Sequence, residues 1–208
     1  MIVSRLYAIV DGELLAGRGL PLADFARKLR AAGVSLVQYR DKNRPPQEVL
    51  QAAGILRSEF AGAGATLILN DRADLAILAN FDGVHVGQDD LSPEDARRVV
   101  GPQKIVGVST HTDEQVRTAE QTSADYIAIG PVFATRTKSN PDPVVGLEGV
   151  RRARALTTKP LVAIGGITRA NARSVIDAGA DSVAVISALL ADGENVEQVA
   201  RDFLGLLG

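Results

Sequence analysis

The side chains able to do chemistry collect just after short apolar runs. In Gln38-Tyr39-Arg40-Asp41-Lys42, the alternating Gln38, Arg40 and Lys42 fall on one side of an extended chain. Two cations and an amide on one face suit a polyphosphate with a heterocycle beside it. A solvated strand end with an Arg40–Asp41 surface pair is the alternative. Asn70-Asp71-Arg72 and Gly87-Gln88-Asp89-Asp90 follow the next two runs. Asp71 and Asp90, at the ends of adjacent strands, could share Mg²⁺, which takes one or two carboxylates and completes its shell with water and substrate phosphate. Asp71 could instead cap a helix starting near Ala73, whereas Ser92-Pro93-Glu94-Asp95 supplies the following helix with its own cap.

Further along, Gly107-Val108-Ser109-Thr110-His111 lacks the Gly-x-Ser-x-Gly elbow of serine hydrolases, so Ser109 reads as a hydrogen-bond donor or the start of a helix. His85 sits inside an apolar run and reads as a satisfied interior histidine. Thr135-Arg136-Thr137-Lys138 puts hydroxyls and cations on a loop from Pro131 to Gly146, about 16 residues long where about 2–6 is common; a solvated basic loop is the plain alternative. Gly165-Gly166-Ile167 and Ile186-Ser187 then offer bare backbone N–H groups and the start of a short helix to an anion. Gly166 allows the close approach that a Cβ would obstruct. Two anion sites are implied, one of cations and metal, the other of backbone amides.

The elements that must position these residues are eight runs: Leu6–Val10, Leu36–Tyr39, Thr66–Leu69, Gly83–Val86, Ile105–Val108, Tyr126–Ile129, Leu161–Ile164 and Ser182–Ile186. Most lack polar alternation, as parallel strands buried on both faces do. Helical periodicity separates them, for example over Leu22–Ala32 and Val196–Leu207. Ala32-Gly33, Ala63-Gly64 and Ala178-Gly179 each run from a helix stop straight into a strand. The spacing predicts an α/β fold, a single (β/α)₈ TIM barrel over 1–208, with roughly 26 residues per unit. A doubly wound open sheet is the runner-up, but no Gly-x-Gly-x-x-Gly follows the first strand.

Composition narrows the classes. The 208 residues fit one domain. A net charge of -2 shows no basic surplus for nucleic acid. Absence of cysteine removes disulfides and thiolate metal sites, and suits a reducing cytoplasm. Two histidines are too few for a histidine-rich metal centre, so oxygen ligands are expected for any ion. The apolar start, broken at Asp11, is too short for a signal peptide or a membrane span, and a cytoplasmic protein without membrane or nucleic-acid partners is expected. A homo-oligomer is compatible with this composition.

The ordered set Gln38-Tyr39-Arg40-Asp41-Lys42, Asn70-Asp71, Gly83-Val84-His85-Val86-Gly87-Gln88-Asp89-Asp90, Gly107-Val108-Ser109-Thr110-His111, Gly130-Pro131-Val132-Phe133, Thr135-Arg136-Thr137-Lys138, Gly165-Gly166-Ile167 and Val185-Ile186-Ser187 resembles the thiamin phosphate synthase family. The resemblance implies Mg²⁺-assisted joining of an aminopyrimidine bearing a diphosphooxymethyl arm to a thiazole phosphate, with loss of pyrophosphate. It implies that Gln38, Arg40, Lys42, Asn70, Ser109 and Lys138 bind the pyrimidine diphosphate, that Arg40, Lys42, Ser109 and Lys138 act in catalysis, and that Asp71 and Asp90 hold the metal. Thr135, Thr137, Gly166, Ile186 and Ser187 would bind the thiazole phosphate. Tyr39, Asp41 and Asp89 stand where Leu, Glu and Glu are more usual in the family. Two rivals remain: a thiazole tautomerase-like isomerase, which would lack much of the diphosphate and metal set, and a non-catalytic ligand-binding or regulatory barrel.

Overall fold

The computed structural model describes residues 4–135, 142–191 and 193–208. Eight parallel strands close into a ring in sequence order: β1 (Leu6–Asp11), β2 (Leu36–Arg40), β3 (Thr66–Asn70), β4 (Gly83–Val86), β5 (Ile105–Thr110), β6 (Tyr126–Ile129), β7 (Leu161–Ile164) and β8 (Ser182–Val185). The ring closes through pairing of β1 with β8, Leu6 opposite Val183 and Ala8 opposite Val185. That closure rules out the open sheet and bears out the (β/α)₈ barrel. The helices between strands are α1 (Gly12–Gly17), α2 (Leu22–Ala31), α3 (Pro46–Glu59), α4 (Ala73–Leu78), α5 (Pro93–Val100), α6 (Asp113–Glu120), α7 (Gly146–Leu156) and α8 (Ala172–Asp177), and a 3₁₀ turn at Ser187–Leu190 and α9 (Val196–Leu207) follow β8. None of the described helices is long and apolar enough to cross a membrane.

Alternation along each strand divides the core in two. Residues such as Ala8, Val10, Val37, Val84, Val106 and Ile127 point outward and pack under the helices. Their neighbours Tyr7, Ile9, Leu36, Ile68, Tyr126 and Val162 fill the lumen as a separate cluster. The period of two explains both faces, since successive Cβ atoms alternate across a strand. It also fixes what stands at the mouth, because two residues on from a lumen residue the side chain again points inward: Asp11 after Ile9, Gln38 and Arg40 after Leu36, Asn70 after Ile68.

At the opposite end, three aspartates stitch neighbouring strands. Asp82, Asp125 and Asp181, each just before a strand, accept from the backbone N–H of Leu67, Val106 and Leu161 at 2.8, 2.7 and 2.8 Å. Arg97 and Arg154 neutralise Asp125 and Asp181 at 2.5 and 2.8 Å. These carboxylates lie away from the strand carboxyl ends and serve the barrel's stability. Gly33 and Gly179 have φ of 88° and 111°, as expected for helix stops feeding β2 and β8.

Four strands outrun the apolar runs that mark them in the sequence. β1 takes in Asp11, β2 Arg40, β3 Asn70, and β5 both Ser109 and Thr110. The polar residues remain in the ladder because parallel pairing continues to the mouth of the barrel. Helix α1 has no apolar periodicity to announce it. Its signal is Asp11, whose carboxylate accepts from Leu14 N–H at 3.0 Å as the helix cap, with Glu13 in the first turn.

Candidate active site

The carboxyl ends of β2, β3 and β4 bring together the residues expected to form the first anion site. Gln38 and Arg40 both face the lumen, and Lys42 follows, its Nζ 3.7 Å from an Asp71 carboxylate oxygen. The Arg40–Asp41 surface pair does not form. Arg40 instead forms an ion pair with Asp11, whose side chain is 4 % exposed. Asp41 turns away to Arg44 at 2.8 Å and to the backbone of Asn43 and Arg44. Asp11 is a residue that sequence reasoning missed. It caps α1 with one oxygen and holds Arg40 with the other.

Asp71 is not a helix cap: α4 has no side-chain cap at its start. It is held at φ 63°, unusual for a residue with a Cβ, and its N–H donates to the His85 carbonyl at 2.8 Å. This backbone turn aims the carboxylate across at Asp90, which accepts from Gly87 N–H at 2.8 Å. Burial, then the hydrogen bond and charge of Asp90, push Asp71 up to about 6, and Lys42 and Arg40 pull it partly back. Two carboxylates sharing a proton between two cations form a donor set that a hard divalent ion fits, since such an ion would replace the proton and relieve the repulsion. No cluster of three or more metal-ligating side chains occurs among the described residues, so an ion here would draw the rest of its shell from water and ligand oxygens.

Ser109, near the end of β5, lies 2.8 Å from His85 Nε2. Asn70 ends β3 beside this group. His85 is the interior histidine expected, buried and bonded at both ring nitrogens, with Nδ1 2.8 Å from the Tyr126 hydroxyl.

A cavity of about 180 Å³ opens across the ends of β7 and β8, and Thr135, Gly166, Ile186 and Ser187 all line it. Four of the five residues assigned to the second anion site are thereby brought together, with Ser187 opening the 3₁₀ turn. Gly166 has φ 64°, and a Cβ there would stand 2.5 Å from the Ala134 carbonyl and 2.8 Å from Phe133 Cβ. The sequence reading has the Cβ obstructing a bound anion. In the fold it would first strike the chain that follows β6. Thr137 and Lys138 lie outside the described residues.

A closed parallel barrel with cations, paired carboxylates and a glycine- and hydroxyl-containing cavity around one mouth is the construction of an enzyme handling phosphorylated small molecules. The family model described as thiamine monophosphate synthase matches residues 6–189, and the chain belongs to this family. Among curated relatives, thiamine-phosphate synthase of Koribacter versatilis is 58% identical over 205 residues, 98% of this chain and 95% of its own length. The enzyme of the same name from Moorella thermoacetica is 43% identical, covering 89% of this chain and 87% of its own. The solved structure of thiamine phosphate pyrophosphorylase from Pyrococcus furiosus superposes with a TM-score of 0.86 at 33% identity, over 98% of this chain and 95% of that one. The chain is accordingly a transferase of thiamine biosynthesis, which sets aside the isomerase and the non-catalytic barrel.

Proposed function

We propose that this barrel joins an aminopyrimidine methyl diphosphate to a thiazole phosphate to give thiamine phosphate and pyrophosphate, with Mg²⁺ as the ion, in the cytoplasm and as one domain of 208 residues. The observation that carries the proposal is the meeting, at one mouth, of a cation and carboxylate group with a separate cavity lined by Gly165, Gly166, Thr135 and Ser187. The first suits a diphosphate leaving group, the second a phosphate anchor.

In the reaction, the bond from the pyrimidine CH₂ to the diphosphate oxygen breaks and its electron pair leaves with the diphosphate. The ring amino group supplies electrons to the CH₂, and the thiazole nitrogen lone pair then forms the new C–N bond. Proton transfer to the protein is not needed, which fits a site whose interior histidine is already bonded on both sides. Arg40 and Lys42 face the charge that grows on the departing diphosphate, and Lys138 is assigned the same task by the family resemblance. Gln38, Asn70 and Ser109 orient the pyrimidine diphosphate. Thr135, Thr137, Gly166, Ile186 and Ser187 fix the thiazole phosphate, so that the nucleophile is pre-positioned. Mg²⁺ held by Asp71 and Asp90 would supply further charge stabilisation to the leaving group. One assay tests the whole reading: both substrates with Mg²⁺, following thiamine phosphate and pyrophosphate. Absence of both products under every divalent ion would overturn it.

The raised Asp71 value predicts how the ion competes with protons. The Asp71–Asp90 pair retains a proton up to about pH 6, so apparent Mg²⁺ affinity should be flat above that pH and fall about tenfold per unit below it. Calorimetric titration of Mg²⁺ between pH 5 and 8 measures this, and a flat profile would remove the pair as the ligand.

Gly166→Ala is expected to raise KM for the thiazole phosphate more than KM for the pyrimidine diphosphate. It should also destabilise the protein by at least about 1 kcal/mol, because an alanine at positive φ is strained and its Cβ meets the Ala134 carbonyl. Steady-state kinetics with each substrate varied, beside thermal melts, read both effects. Equal changes in the two KM values would mean that the cavity is not the thiazole phosphate site.

A further inference from the structure

The lumen holds a chain of polar groups that the reaction does not consume. Gln38 Nε2 donates to the Tyr7 hydroxyl at 3.0 Å, and the Tyr7 and Tyr126 hydroxyls are 2.9 Å apart. The Tyr126 hydroxyl lies 2.8 Å from His85 Nδ1, and His85 Nε2 lies 2.8 Å from Ser109 Oγ. Five side chains from β2, β1, β6, β4 and β5 thus link Gln38 to Ser109 across the barrel. Tyr7, Tyr126 and His85 are 1, 2 and 7 % exposed, in an otherwise apolar cluster.

The backbone is shaped to permit this crossing. In register, Gly107 stands between His85 and Tyr126. A Cβ at Gly107 would lie 2.0 Å from Tyr126 Cζ, so the missing side chain is the space in which the phenol ring crosses β5. The ring then stacks on His85, with centroids 5.4 Å apart and planes 24° from parallel.

We propose that Tyr126 and His85 are positioning residues that give the Ser109 hydroxyl a fixed polarity, turning its proton toward an anionic oxygen of the substrate, with Tyr7 as the neighbour that accepts from Gln38 and packs behind Tyr126. The inference rests on the reading of Ser109 as a substrate contact. Each hydroxyl in the chain has one proton. Having accepted from Gln38, Tyr7 gives its proton to Tyr126, and Tyr126 gives its own to His85 Nδ1. His85 is thereby held as the Nε2–H tautomer, which donates to Ser109 Oγ. Ser109, its acceptor side occupied, is left to donate outward. The reverse sense would make Tyr7 accept twice and leave a buried O–H without an acceptor, which costs more than the bond it makes. Burial holds both phenols far above their ordinary titration range, so neither loses the proton it passes on.

The chain has only two histidines, so ¹⁵N-detected spectra of the ligand-free protein read the tautomer directly, with His111→Asn identifying the second set of signals. The expected result is a pyridine-type Nδ1 and a pyrrole-type Nε2 at His85. Tyr126→Phe should mix the tautomers and lower kcat/KM for the pyrimidine diphosphate on the order of tenfold, the cost of about one misdirected hydrogen bond. Tyr7→Phe should keep the tautomer, because Tyr126 is left with Nδ1 as the one acceptor in the chain for its proton and the reverse sense would still strand a buried O–H, so this variant separates polarity from general loss of packing. In a Ser109→Ala background, Tyr126→Phe should change kcat/KM by less than about twofold, since the two residues act through one contact. An Nδ1–H tautomer in the native protein, or full additivity of the two substitutions, overturns the relay. A Ser109→Ala variant with native kcat/KM overturns the substrate contact beneath it, whatever tautomer is found.

Discussion

Asp71→Asn is expected to move turnover and stability in opposite directions. The raised proton affinity of Asp71 means that the folded, metal-free protein holds a proton that the unfolded chain has released, from the ordinary aspartate value of 3.8 up to about 6. Across that window the unfolded state binds fewer protons, so stability falls as pH rises, and above about 6 the full penalty is in place. Asparagine removes the charge that burial and Asp90 oppose. In the absence of divalent ions the variant should therefore melt higher than the native protein at pH 7 and equally near pH 4. On the proposed metal site, activity should collapse, on the order of 10²-fold or more in kcat, because the ion would lose one of its two protein carboxylates and the leaving group part of its charge stabilisation. Asp90→Asn should lower turnover alike, as the other carboxylate of the proposed metal pair. Thermal melts at both pH values and steady-state rates at saturating Mg²⁺ decide it. A variant that melts lower at pH 7 and retains its rate would return Asp71 to a structural role.

How much of this could be read in advance follows from where the physics is local. The strands were legible because buried parallel strands must be apolar on both faces, and short runs rich in Val and Ile, several entered from a helix-stopping glycine, suit a strand better than a buried helix segment. Their last residues were not, since Asp11, Arg40, Asn70 and Ser109 look like loop residues while still sitting in the ladder. The same parity that hides them would have exposed the relay: counting back by two from the mouth places Tyr7 beneath Ile9 and Asp11, and Tyr126 beneath Ala128 and Gly130. A tyrosine at a lumen position needs a hydroxyl partner, and that need was a signal available in the residue type alone. The grip of Asp11 on Arg40 was not legible, because 29 residues separate them and only the closure of β1 on β2, with Asp11 opposite Arg40 in register, makes them neighbours. The second anion site was legible as composition, in Gly165-Gly166 and Ile186-Ser187, but its demand for glycine comes from Phe133 and Ala134, chain that no local pattern places there.

Arg40→Met should give the other large effect, and its two causes can be separated. Methionine keeps much of the length of the side chain and removes the charge, so kcat should fall on the order of 10²-fold as the leaving diphosphate loses a cation. It also strands Asp11, 4 % exposed and paired to Arg40, as an uncompensated carboxylate, which should cost about 3 kcal/mol of stability. Adding Asp11→Asn to Arg40→Met relieves the stranded charge, because the amide oxygen can still cap α1 through Leu14 N–H. The double variant should thus recover most of the stability and none of the rate. Asp11→Asn alone leaves Arg40 charged but no longer held by a carboxylate. Its kcat should fall less than that of Arg40→Met, and the loss should grow with ionic strength as the loosened guanidinium is screened. Melting temperatures with kcat for the three variants complete the cycle. If the double variant regains activity together with stability, Arg40 acts through the fold and has no direct part in stabilising the leaving group.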